Sequence, residues 1–196
     1  MTLPDAKPDD ATGPYPDTNA AMTAAQRFSA SDAAIDALLP IGERLFRSGA
    51  TGLRAAIALT KGMPSVNPCA RLLVLQLAAR FLLAGQKHGL PPPPELLEGL
   101  ASLLNFPNVK VRTRAVKILI ALGPQAAPIQ GAALGCLRHA DPQIRMNGAL
   151  LLQALGPACD RGNGRQMKTA IERFPRDVEF CRVLGKCMNA LSATRG

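Results

Sequence analysis

The chain has no tryptophan, one tyrosine and six phenylalanines among its 196 residues. Its core must therefore be built from Leu, Ala, Ile and Val, and nucleic-acid bases would find almost no ring to stack on. Apolar alternation at period two is nowhere evident, which argues against a sandwich or barrel. The five cysteines, at positions 69, 136, 159, 181 and 187, are odd in number and lack paired spacing. Neither a disulfide framework nor a zinc site is expected, and a reducing, cytoplasmic compartment is the economical reading. The first ten residues lack the charged-then-apolar pattern of a secretion signal. The most apolar stretch, Leu72–Gly85, is interrupted by Arg80 and is too short to span a bilayer.

Acidic residues are missing over long stretches, with none between Glu43 and Glu95 or between Glu98 and Asp141. The net charge of +9 divides into −5 over residues 1–43 and +14 over the rest. A domain so charged attracts acidic surfaces, nucleic acid included, with an affinity that falls with salt. Residues 1–28 are rich in Pro, Asp, Thr and Ala with little to bury, and read as a disordered acidic tail ahead of one domain over 29–196. Arginine outnumbers lysine 16 to 7 and Ala and Gly are abundant, a bias expected of a GC-rich bacterial source.

What is present is a phrase used three times: Asn67-Pro-Cys-Ala-Arg71, Asn108-Val-Lys-Val-Arg112 and Asp141-Pro-Gln-Ile-Arg145. Each offers a helix-capping side chain, an apolar residue three positions on, then arginine and an apolar run. Two of the runs end alike, in Ala121-Leu122-Gly123-Pro124 and Ala154-Leu155-Gly156-Pro157, 33 residues apart. Glycine supplies a left-handed residue to close each helix, and the proline prevents continuation. Ala115 and Gly148 are small where two helices of a hairpin must approach closely.

Around these phrases the sequence predicts an all-α chain. A capping helix opens at Ser31 and runs to about Arg47, kinked at Pro40. Helices follow at about 51–61, 67–86, 95–105, 108–122, 126–138, 142–155, 165–174 and 177–191, with the tetraproline 91–94 as a rigid connector. Read in pairs, they make a short α-solenoid of about four helical hairpins.

The phrase resembles the second helix of a HEAT-type repeat, with its consensus near Asp-Pro-x-Val-Arg-x-x-Ala-x-x-x-Leu-Gly. Asp141–Gly156 matches best, Asn108–Gly123 nearly as well, and Asn67–Gly85 with about one extra turn. The fourth copy departs, since Cys181 stands where arginine is expected. The resemblance covers roughly residues 51–192. It implies that Asn67, Arg71, Asn108, Arg112, Asp141 and Arg145 form a structural ladder in which each arginine links to the next copy's capping side chain. It also implies that the second helices line a concave face. The family spans scaffolds, transport adaptors, bilin lyases and a few DNA-binding enzymes, so the resemblance does not name a function.

Lys110, Arg114 and Lys117 recur at spacings of four and three and share one helix face. Carrying that face to the neighbouring copies adds Gln76 and Arg80 before it, Gln143 and Asn147 after it, and Glu179 and Lys186 in the last copy. The expected partner-binding set is thus Arg80, Lys110, Arg114, Lys117, Asn147 and Lys186, with apolar contact at Leu73 and Leu150. The expectation is a non-enzymatic scaffold holding an acidic protein partner, with nucleic-acid backbone binding as the alternative. No cofactor, metal or membrane span is expected. His88 and His139 have no Ser, Cys or carboxylate at a catalytic spacing, and His139 reads as a cation at a helix C-terminus. Gly162-Asn-Gly164 lacks the lysine and preceding strand of a phosphate loop and reads as a turn.

Overall fold

A computed structural model describes residues 68–193, and among these every regular element is a helix. The tail at 1–28, the helices expected at 31–47 and 51–61, and Asn67 lie outside the described residues, as do the side chains of Arg71, Leu73 and Gln76. The chain divides into two compact units, residues 1–84 and 85–196.

The described part of the first unit belongs to helix α1 (Pro68–Lys87), which runs past the boundary. It buries Leu75, Ala78 and Leu82, the three-and-four spacing of a single helical stripe. The helix closes through Leu90 N–H donating to Gly85 C=O at 2.9 Å. Gly89 makes this closure possible with φ at 68°, a region that costs a residue with a Cβ.

The second unit holds α2 (Pro94–Ala101), α3 (Val109–Leu122), α4 (Gln130–Cys136), α5 (Pro142–Leu155), α6 (Gly164–Arg173) and α7 (Val178–Ala193). Proline in the first turn of α2 and of α5 removes only N–H groups that a helix start leaves unpaired. Helix α2 stops at Ala101, short of the expected 105, and residues after it form a turn in which Ser102 Oγ donates to Gly99 C=O at 2.7 Å. The helix expected over 126–138 is divided: Gly123–Ile129 is a 3-10 segment that leads into α4. Pro124 and Pro128 each lack an N–H, so a regular i to i−4 ladder cannot run through them. The same segment interrupts the run Val109–Cys136, which by length and apolar composition alone could cross a membrane.

Helices α3, α5 and α7 lie side by side with α5 in the middle, and each packs on the helix that precedes it, α2, α4 and α6 respectively. Their facing stripes make the core. Ala115, Leu119 and Leu122 of α3, Leu151, Leu152 and Leu155 of α5, and Phe180 and Leu184 of α7 are inaccessible to solvent. Each fully buried Leu or Phe of this set contributes on the order of 1.5–3 kcal/mol relative to exposure.

Among the described glycines the tightest surroundings are those of Gly148 of α5. A Cβ there would sit 2.6 Å from Ala133 C=O and 2.7 Å from Cys136 Cβ, inside van der Waals contact with the α4 backbone. Gly185 of α7 has nothing within 4 Å of the same construction. Gly148→Ala is expected to destabilise the domain by roughly 2–3 kcal/mol, lowering the thermal midpoint followed by circular dichroism. Gly185→Ala is expected to leave that midpoint unchanged or raise it slightly.

Candidate partner-binding surface and the ladder behind it

Helix α3 begins at Asn108, whose Oδ1 accepts the Lys110 and Val111 N–H groups at 3.0 and 3.2 Å. Helix α5 begins the same way, with Asp141 Oδ1 accepting the Gln143 N–H at 2.8 Å. Asp177 Oδ1 accepts the Phe180 N–H at 3.4 Å ahead of α7. The two aspartates each have a second oxygen, and each gives it to an arginine from the preceding copy. Arg112 Nη2 reaches Asp141 Oδ2 at 3.4 Å, and Arg145 Nη2 reaches Asp177 Oδ2 at 3.0 Å. The guanidinium's other arm turns back to the loop before its own helix. Arg112 Nη1 donates to Phe106 C=O at 2.9 Å, and Arg145 Nη1 donates to His139 and Ala140 C=O at 3.0 and 2.8 Å.

The second of these rungs is the stronger. The Arg145 guanidinium stacks on the Phe174 ring at 4.0 Å, its side chain is 9 % exposed and its carboxylate partner 22 %, against 38 % for Asp141. A shielded charge pair with a ring behind it keeps more of its Coulomb attraction. Arg145→Ala removes the pair, the stack and the two hydrogen bonds that Nη1 donates to carbonyls, and is expected to cost roughly 2–3 kcal/mol in denaturant unfolding. Arg182 pairs with Glu179 on the open surface of α7. Arg182→Ala is expected to leave the unfolding midpoint where it was.

Lys110, Arg114 and Lys117 are all exposed on α3, and Ala121 continues their strip. At about 100° per residue they fall within an arc of roughly 60°. None has an ion-pair partner among the described residues, and no acidic residue lies on α3. The adjoining arc carries the buried Val111, Ala115, Ile118 and Leu119.

The ridge does not continue evenly across the neighbouring helices. Asn147 of α5 is a correction: at 4 % exposure it is buried, and its Oδ1 accepts from Gln143 Nε2 at 3.2 Å. Helix α5 packs against α3, α4 and α7, and this register position is covered there. Val183, at the same position of α7, is buried too. Gln143 is exposed and Leu150 half-buried, so α5 presents no charge on this face. Lys186 is exposed on α7 alongside the Glu179–Arg182 pair, which makes that helix mixed in sign. Arg80 is exposed on α1, within the first unit. The uncompensated charge of the second unit's face is therefore concentrated on α3.

His139 Nδ1 accepts the Asp141 N–H at 3.0 Å, which ties the ring to the start of α5. Among the described residues no three His, Cys, Asp or Glu side chains gather as a metal site. Gly164 opens α6 after a 3-10 turn at Arg161–Asn163, with Asp160 Oδ1 accepting the Gly162 N–H at 2.8 Å.

Cys136, Cys159, Cys181 and Cys187 are free thiols. Burial pushes Cys136 and Cys187 from the ordinary 9.0 up to about 11, so both remain protonated and unreactive at neutral pH. Because the folded value lies above the unfolded one, their stabilising effect is complete below pH 9.0 and is lost as pH rises towards about 11. Iodoacetamide at pH 8 is expected to leave Cys136 and Cys187 unmodified in the folded protein and to label both in denaturant, as read by peptide mass spectrometry.

Comparison of the chain with protein-family models, with curated proteins and with solved structures finds no match.

Proposed function

We infer that the protein is a non-enzymatic scaffold of HEAT-like type, a short α-solenoid that captures an acidic segment of a protein partner on a basic face centred on Lys110, Arg114 and Lys117. The observation that carries this reading is the strip of three exposed cations on α3 with no acid beside them. A merely solvated helix face interleaves both signs, as the Lys168–Glu172 side of α6 does at i and i+4. The repeated capping phrase, the hairpin packing and the arginine rungs support the solenoid reading, since each belongs to one copy handing over to the next. Reducing conditions and a cytoplasmic location fit the free, buried thiols.

The alternative is that the same strip follows a nucleic-acid backbone. The scarcity of rings disfavours base recognition, and phosphate contact alone would be unspecific. Two measurements separate these readings. Capture of partner from a native lysate is expected to fall at least tenfold in Lys110→Glu/Arg114→Glu, with the helical circular dichroism spectrum intact. Undiminished capture would remove the strip from the interface. Generic DNA duplex and RNA are expected to show no gel shift at low salt. Micromolar binding that drops steeply between about 50 and 200 mM salt would transfer the function to nucleic acid.

A further inference from the structure

A second basic surface occurs in the other helical layer, away from α3. Helices α4 and α6 do not pack closely, and a cleft of about 190 Å³ lies between them. Leu134, Leu137 and Ala170 floor it, and Arg138, Arg165 and Arg173 stand around its mouth. The three arginines are exposed, and none pairs with an acid among the described residues. Arg173 lies over the Phe174 ring at 5.4 Å, a contact that leaves its charge uncompensated. The acid closest in sequence, Glu172, faces Lys168 on another side of α6 and does not line the cleft.

Size decides what the cleft can hold. Small-molecule sites run to roughly 300–1,000 Å³ and bury most of their ligand. This cleft is smaller and open, a fit for one apolar side chain projecting from a longer chain. Its walls provide no acceptor charge, while its rim provides three forked donors suited to carboxylates. An apolar anchor in a dry floor, ringed by charge-assisted hydrogen bonds, is the arrangement of an interface hot spot.

We propose that the α4–α6 cleft is a second docking site, which takes a peptide segment carrying one Leu, Ile or Phe flanked by Asp or Glu on both sides. The side chain fills the space over Leu134, Leu137 and Ala170, and the flanking carboxylates pair with Arg138, Arg165 and Arg173. This site is independent of the α3 strip, so the protein has two basic surfaces for acidic segments, one in each helical layer.

The test is selection of an unbiased displayed dodecapeptide library on the immobilised full-length protein, followed by fluorescence anisotropy of the enriched peptides. Enrichment of acid–apolar–acid sequences is expected. Their affinity should fall at least tenfold in Arg138→Glu/Arg165→Glu, and also in Thr169→Phe, which obstructs the mouth from an exposed helix position without changing charge. Replacing the apolar residue of the peptide by Ser should weaken it comparably. Lys110→Glu/Lys117→Glu should bind these peptides as the wild type does. Failure to enrich such peptides, or enriched peptides that bind the cleft variants undiminished, would overturn the proposal.

Discussion

The second unit is held in order by carboxylates that serve two helices at once. One oxygen of Asp141 or Asp177 closes the first turn of its own helix, and the other receives the guanidinium of the helix before. The arginine is divided in the same manner, with one arm on the next copy's cap and one on its own incoming loop. A buried guanidinium left unpaired would cost several kcal/mol, so these groups fix the spacing between α3, α5 and α7 more narrowly than apolar packing can. The apolar stripes then supply the bulk of the stabilisation, and Gly148 sets how closely α5 can approach α4.

Much of this was legible in the order of residues because its determinants are local. A side chain that caps its own helix acts over three positions, so Asn108 and Asp141 identify the starts of α3 and α5 directly. Gly123 and Gly156 end those helices at φ 54° both times, with a proline after each. The 3-10 segment at 123–129 was less visible, since it depends on two prolines acting together across a stretch that is otherwise apolar and helical in pattern. The burial of Asn147 is hidden in the sequence for a different reason. Register transfer fixes which face of a helix a residue occupies but not what packs against it, and Asn147 and Val183 are buried where Arg114 is exposed.

The surface features divide along the same line. Lys110, Arg114 and Lys117 lie within one helix, so periodicity alone brings them together. Arg138 lies in the turn after α4 and Arg165 and Arg173 lie on α6, and no spacing in the sequence ties the first to the others. What gathers them is the loose packing between α4 and α6 in a layer whose partner helices are tightly packed. The long acid-free stretch from Glu98 to Asp141 was a signal for Arg138, though it did not tell which face that residue would join.

The divided carboxylates also give the chain a direction. Among the described residues both rungs run from an arginine to an acid that follows it in sequence, 29 residues on for Arg112 and 32 for Arg145. Removing material from the C-terminal side strands a shielded guanidinium whose counter-ion has gone. Removing it from the N-terminal side leaves an aspartate that still caps its own helix and retains contact with water. The two ends of the stack are therefore not equivalent as places to cut, fuse or extend. On α7 the position of Arg112 and Arg145 is held by Cys181, so that helix has no guanidinium there to reach forward.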